Sequence, residues 1–357
     1  MGTLQPNLPK HCGWMSALQR CLALALLLTP VVAAEWYGES RELYYGIPVS
    51  VRFTPTDPEL AVRIWKALEA IDNEFNDYRD DSEIGRINAG GPGEYKLSPG
   101  LAEAFVLSGR MREATAGACE ITVGSLRRLW KGAAKTGRWP TDAEIAAARA
   151  ATGPSTYRLE GDRLRVLVPG VGFDFGGVCK GMAVDRATVL LRAAKCEAAL
   201  VQVGGETCCW GIAPAGRPHR IGIPHPDAPD DVDRCWARLQ DPGNGMTGST
   251  SGNYRQPIII GGRTVYHIYD PRTGLPADTH VLSFSVVLPG IGHNGEADAL
   301  TKSGILLGER GLELVRAAGG EAMLLRRKDG DDTAVVEVHT PGWPALLVPG
   351  STGQERR

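Results

Sequence analysis

The sequence predicts an α+β fold, antiparallel sheets mixed with helices, and three observations predict it. Helical and strand patterns intermingle without the regular strand-helix alternation of a parallel sheet. The stretch TYRLEGDRLRVLV (156–168) alternates about Gly161-Asp162 as an antiparallel hairpin does, although Gly-Asp is not the favoured turn order. With 43% hydrophobic residues over 357 positions, the chain can bury one large core or two smaller ones without a metal or disulfide to hold it.

The elements follow in order. YYGIPVSVRF (44–53) reads as a strand, and Asp57-Pro58 then opens a helix whose Leu60, Ile64, Leu68, Ile71 and Phe75 keep one face. Ser98-Pro99 starts a second helix carrying Leu101, Phe105 and Met111, and Thr141 with Glu144 makes the capping box of a third. After the hairpin comes a helix over 180–194, the strand AALVQVG and further short strands. A helix from Ala297 and the strand EAMLLRR complete the pattern, and the Pro/Gly-rich end, 341–357, reads as a loose tail.

Lys10 and Arg20 precede the apolar run CLALALLLTPVVAA, which ends in Val32-Ala33-Ala34. This is the pattern of a secretory signal cut after Ala34, and the run is short for a membrane span. The expected organisation is a leader over 1–34, one domain over 35–345 and a flexible tail over 346–357. Export to the periplasm follows, an uncleaved leader being the alternative that would keep the chain at the membrane. A net charge of −2 gives no reason to expect nucleic acid. Six cysteines follow the leader, at 119, 179, 196, 208, 209 and 235, without CxxC or zinc spacing. One disulfide among them is expected, its partners unspecified, and adjacent Cys208 and Cys209 should face opposite ways in a strand.

The chemistry centres on DFGGVCKGMAVD (174–185). Its DFG triplet is not that of a kinase, because no Gly-rich loop, VAIK-like strand or HRD loop precedes it. Gly176 and Gly177 bring bare backbone to a helix start, where amides can hold phosphate; a tight turn packing the helix is the plainer reading. LVQVGGE (200–206) ends a strand in a second glycine pair, Gly204-Gly205, open to a flat or charged ligand. YHIYDPRTGLPAD (266–278) sets His267 before a turn fixed by Asp270-Pro271 and Thr273-Gly274. In EADALTKSG (296–304), Asp298 and Thr301 share a helix face as hard oxygen donors suited to Mg2+, or as ordinary helix polar groups.

Together and in this order, these segments resemble the ApbE family of FAD:protein FMN transferases. EFNDYRDDSEIGRIN is similar to the family's early tyrosine and SELSRIN-type segment, and GACEITVGSLRRLW to GAFDPTVGPLxxLW. DFGGVCKGMAVD resembles DLGGIAKGYAVD, LVQVGGE the VNxGG strand, TSGNY the TSGDY segment, and HIYDPRTG the HIIDPRTG turn.

The resemblance implies a tunnelling-fold-like arrangement of antiparallel sheets and helices with FAD in a groove between two lobes. It assigns Tyr78, Ala118, Cys119 and Glu120 to the flavin, with Asp174, Lys180, Gly204 and Gly205 beside the dinucleotide. It gives Mg2+ the carbonyl of Gly177 with Asp298 and the Thr301 hydroxyl. The implied reaction moves FMN from FAD onto a Thr or Ser hydroxyl of an acceptor protein, a subunit of a membrane redox complex, and releases AMP. His267 is the candidate base, since imidazole titrates near working pH, with Asp270 as the alternative. A metal-dependent FAD pyrophosphatase and a non-catalytic FAD-binding protein are the rival readings. Three departures stand out: Cys119-Glu120 replaces Phe-Asp, Met182 replaces an aromatic, and Lys302 takes the place of the family's hydroxyl four residues after Asp298.

Overall fold

A computed structural model describes residues 35–351 except 45, 232, 254–256, 278 and 279. The chain begins β1 (Tyr37–Leu43), β2 (Ile47–Thr54), α1 (Pro58–Phe75), α2 (Glu83–Gly90), β3 (Gly93–Lys96), α3 (Pro99–Ala114), α4 (Gly124–Thr136) and α5 (Asp142–Ala150). It continues β4 (Tyr157–Glu160), β5 (Arg163–Val166), α6 (Cys179–Ala193), β6 (Ala198–Val203), β7 (Glu206–Trp210), β8 (Arg220–Pro224) and β9 (Cys235–Gln240). Then come β10 (Met246–Gly252), β11 (Ile258–Ile260), β12 (Arg263–Val265), β13 (Val281–Pro289), α7 (Asn294–Leu307), α8 (Glu309–Ala317), β14 (Glu321–Lys328) and β15 (Asp331–His339).

An 8-stranded sheet in the order β1-β2-β6-β7-β10-β13-β14-β15 is the frame. Each neighbouring pair in it is antiparallel, as the α+β reading requires. Strand alternation decides its two faces: Val49, Val51 and Phe53 of β2 join Ala199, Val201 and Val203 of β6 in one core with α1, α6 and α7. The other face meets β8, β9 and Trp343 through Met246, Val287, Met323 and Leu325. Cys208 lies in the first core and Cys209 in the second, the opposite orientation expected of neighbours in a strand. A separate cluster of Leu126, Trp130, Ile145, Ile260 and Tyr269 joins α4 and α5 to β11 and β12.

Local signals act where the sequence places them. Asp57 accepts from Leu60 N at 2.9 Å, Ser98 from Leu101 N at 3.2 Å, and Thr141 with Glu144 completes the capping box. The hairpin about Gly161 forms from β4 and β5, with Gly161 at φ 61°.

Four expectations need correction. The strand read over 44–53 is β2 and starts at Ile47, not Tyr44, and β1 before it pairs along its whole length, although its mostly exposed pattern gives no burial signal. Helix α7 begins at Asn294, not Ala297, because its cap is supplied from another helix: Asp185 accepts from Asn294 N and Gly295 N, both at 2.9 Å. Residues 341–351 are no loose tail, for Trp343 is fully buried and Val348 N donates to Arg238 O at 2.8 Å. Cys119, Cys179, Cys196, Cys208 and Cys209 all carry free thiols, so no bridge forms between any of these. The leader and residues 352–357 lie outside the described residues.

Candidate active site

The turn before α6 is built from both sides. Asn88 clamps Phe173 through its side-chain amide, donating to the carbonyl at 2.9 Å and accepting from the N–H at 2.7 Å, while Phe173 and Phe175 are buried. Asp174 then accepts from Gly176 N at 2.8 Å, so this amide is satisfied within the turn rather than left for a phosphate. Beyond it, α6 and α7 meet at Gly181, where a Cβ would stand 2.1 Å from Asn294 O. Only glycine permits that approach, and it sets Lys180 of α6 against Asp298 of α7.

Asp298 is fully buried and densely paired. Lys180 Nζ donates to its Oδ2 at 3.2 Å and Oδ1 at 3.4 Å, and Gly181 N donates to Oδ2 at 3.3 Å. Lys302 Nζ, one turn along α7, donates to Oδ1 and also lies 3.3 Å from Ser251 Oγ. Glu206, where β7 leaves the Gly204-Gly205 turn, completes the group with Oε1 at 3.3 Å from Lys180 Nζ. Burial alone would raise the pKa of Asp298, but the two ammonium groups outweigh it and hold the carboxyl below the usual carboxylate range. Glu206 moves the other way, raised by burial and by the charge of Asp298.

The glycine pair is required by geometry. Gly204 has φ +60°, and a Cβ on Gly205 would lie 2.3 Å from Thr250 O. Thr301 is buried against β10, its hydroxyl donating to Asp298 O at 2.8 Å and paired with Ser251 Oγ at 2.7 Å.

A second charged group borders the first. Arg127 of α4 pairs with Asp77 and stands 3.5 Å from Asp174 Oδ2. Its guanidinium lies 4.7 Å from the Tyr78 ring centroid, and Lys131, four residues along the same helix, lies 4.2 Å from it. Tyr78 is 59% exposed and carries both cations over its ring.

His267 is half-buried, and its Nδ1 is out of solvent with no hydrogen-bond partner among the described residues. Burial, then the charge of Lys302, pushes its pKa down to about 4, which corrects the expectation that it titrates near working pH. Asp270 is engaged by Arg272, accepting from Nε at 2.8 Å and Nη2 at 2.7 Å. Burial raises its pKa, but the Arg272 contacts outweigh that and leave it lowered, with both carboxylate oxygens already engaged. The turn is tied to α4 by Trp130 Nε1, which donates to Gly274 O at 2.9 Å.

Lys180, Asp298, Thr301 and Lys302 therefore meet, with Gly204 and Gly205 over them and Gly177 in range, since a Cβ there would touch Lys302 Cδ at 3.4 Å. Ala118, Cys119 and Glu120 are buried. The Glu120 carboxylate is spent internally on Arg112 Nε at 3.0 Å and on Thr122 N and Oγ1 at 3.0 and 2.8 Å. Sequence reasoning missed Arg127, Lys131 and Glu206. Glu206 had a signal, a carboxylate following two glycines at the mouth of an apolar strand; the i, i+4 cations of α4 look like any solvated helix face.

The residues present do not fit a resident Mg2+. The Lys302 ammonium takes the Asp298 oxygen that a cation would use, and the Thr301 hydroxyl is committed to Asp298 O and Ser251. Adding a dication would place it beside two ammonium groups that share one carboxylate.

An antiparallel sheet whose glycine turns and helix start gather ammonium groups next to an exposed, cation-backed tyrosine defines a protein that handles an anionic ligand with an aromatic part. The ApbE family model matches residues 45–324, and the chain belongs to the ApbE family. It is 29% identical over 89% of its length to the FAD:protein FMN transferase of Vibrio cholerae, covering 94% of that protein. To the FAD:protein FMN transferase of Salmonella typhimurium it is 30% identical, over 76% of this chain and 78% of the relative. The structure superposes on the apo flavinyl transferase ApbE of Pseudomonas stutzeri with a TM-score of 0.74 and 25% identity, covering 88% of this chain and 97% of that one.

Proposed function

We infer that this chain is an FAD:protein FMN transferase. The observation that carries the reading is the near full-length match to transferases of that name, in a chain whose site keeps Lys180, Asp298 and the Gly204-Gly205 turn together. In the reaction, a Thr or Ser hydroxyl oxygen of the acceptor bonds to the FMN phosphorus of FAD, the pyrophosphate P–O bond breaks, and AMP leaves with that oxygen. Lys180 and Lys302 offset the charge that grows on the phosphate oxygens, in a site that already holds both ammonium groups. Tyr78 supplies a face for the isoalloxazine, and Asp174 orders the turn against Arg127. The neutral imidazole of His267 receives the hydroxyl proton and passes it to solvent. Magnesium, expected from the family resemblance, has no step here because the donor set does not fit it.

The test is mass spectrometry of a threonine-bearing acceptor domain after incubation with this protein and FAD. An FMN adduct with matching release of AMP supports the reading; free FMN with AMP would make the chain a pyrophosphatase, and unchanged FAD a binding protein. We also propose that the chain is exported after cleavage behind Ala34, and that its acceptor is a subunit of a membrane redox complex. The Cys21 to Ala34 run supports export. A mature N-terminus other than Glu35 in exported protein would show the cleavage site to be wrong.

A further inference from the structure

The Asp298 carboxylate is the fully buried acid of α7, and Lys302 is already on it. Lys302 Nζ donates to Oδ1 from four residues along the helix, a spacing that keeps both side chains on one face. Its stem runs past Gly177, and Ser251 Oγ, 3.3 Å from Nζ, holds the head from the β10 side. Three separate elements thus fix one ammonium at the point where the helix face, the glycine turn and the sheet converge. Thr301 does not compete, since its hydroxyl is turned into the helix backbone and toward Ser251.

We propose that Lys302 is a built-in cation that replaces the divalent metal, so that this chain binds FAD and transfers FMN without Mg2+. The proposal rests on the transferase reading above for its activity arm, and on geometry alone for its metal-binding arm. Its chemistry is a substitution of one cation by another. A lysine ammonium carries one charge and three donors, enough to pair with Asp298 and Ser251 and still present a hydrogen to a phosphate oxygen. A hydrated dication gives more charge but needs several oxygen donors around it. Here Lys180 adds a second ammonium 3.2 Å from the same carboxylate, so the local charge is made of two lysines rather than one metal. No bond is made or broken by Lys302 itself: the acceptor oxygen still bonds to the FMN phosphorus as AMP leaves.

The experiment pairs the purified, chelator-treated protein with two single variants, Lys302→Thr and Lys302→Arg. Thr restores a hydroxyl at this helix position, and Arg keeps the charge. Mn2+ serves as the probe in solution spin-resonance titrations, and FMN transfer from FAD is followed with and without Mg2+. The unaltered chain should show no stoichiometric Mn2+ site, and chelation should change its transfer by less than about 3-fold, while Lys302→Thr should gain a Mn2+ site and fall by about 10²-fold unless Mg2+ is added. Lys302→Arg should stay metal-independent, which a merely structural lysine does not predict. Stoichiometric Mn2+ binding to the unaltered chain, or loss of its transfer on chelation, overturns the proposal. If no condition yields an FMN adduct, the transferase reading fails instead, and the Mn2+ titrations of the unaltered chain and Lys302→Thr still decide the cation assignment. A Lys302→Thr protein that folds, as judged by its melting transition, yet gains no Mn2+ site also overturns it.

Discussion

Lys180 Nζ stands 3.3 Å from Glu206 Oε1, an ion pair in which the carboxylate is fully out of solvent. One residue comes from the first turn of α6 and the other from the first position of β7, so the pair ties the glycine turn to the helix start. Glu206 Oε2 has no partner among the described residues, so the carboxylate is held through Oε1, by Lys180 and by the Ser249 hydroxyl at 3.5 Å.

Removing the ammonium should therefore cost stability as well as activity. Lys180→Met keeps the stem and deletes the charge, leaving Glu206 with the Ser249 hydroxyl at 3.5 Å and Asp298 with Lys302 and the Gly181 amide. The expected loss is about 3–5 kcal/mol, the range for breaking a buried pair from one side. Chemical denaturation of the two proteins measures it; a loss under about 1 kcal/mol would mean that the remaining groups rearrange to neutral pairings.

The pH dependence of His267 has a definite sign. Its folded pKa is depressed from 6.5 to about 4, so between these values the unfolded chain binds more protons than the folded one. Its contribution to stability is complete above about pH 6.5 and is lost as the pH falls toward 4, by on the order of 1–3 kcal/mol. In His267→Ala that part of the stability curve should disappear. Catalysis gives the second readout: if the imidazole takes the acceptor's proton, transfer should fall by ~10²–10⁴ in the variant with FAD affinity nearly unchanged. The acidic limb of the normal rate curve should then lie near pH 4 rather than near 6.5. Parallel loss of FAD affinity and melting temperature, with no selective effect on rate, would make His267 a structural residue of the Trp130-anchored turn.

The sequence shows most of the frame and less of the site, for physical reasons that differ. Helix starts at Asp57, Ser98 and Thr141 are legible because each cap is local. The start of α7 is not, since Asp185 reaches it from another helix. Strand β1 escapes because it is an edge strand with little buried surface. At the site, Lys180, Asp298 and the glycine turns are readable as motifs, and Lys302 as a departure from one. What no motif carries is pairing: that Glu120 is consumed by Arg112, that Asp270 is consumed by Arg272, and that Arg127 joins Asp77 to Asp174. Those contacts link residues by chain folding, and a linear pattern has no term for them.

Asp298→Asn tests the carboxylate without changing its size. Transfer should drop by at least about 10²-fold, because the paired ammonium groups lose the anchor that aims them. Binding should not follow. With the negative charge gone, Lys180 and Lys302 are released to the pyrophosphate, so FAD should bind as tightly as before or more tightly. Fluorescence titration of FAD together with a transfer assay reads both. Loss of FAD affinity in step with transfer would instead place Asp298 in direct contact with the dinucleotide.

Gly181→Ala probes the helix contact on which the whole cluster depends. A Cβ at this position would meet Asn294 O at 2.1 Å, its carbonyl carbon at 2.3 Å and Gly295 N at 2.6 Å, all backbone atoms that no side-chain rotation can clear. Helix α7 must shift to admit the methyl, and with it go Asp298 and Lys302, while Lys180 stays on α6. The expected cost is about 1–3 kcal/mol of stability from overpacking. Transfer should fall further than that loss explains, since the Lys180 to Asp298 distance of 3.2 Å opens in molecules that remain folded. Gly132→Ala is the matched control: it lies within α4, exposed, with nothing within 4 Å of the added Cβ. That change should stabilise by up to about 1 kcal/mol through helix propensity and leave transfer unaltered. If Gly181→Ala melts and transfers like the unaltered protein, the α6 to α7 contact is not what holds the two lysines on their carboxylate.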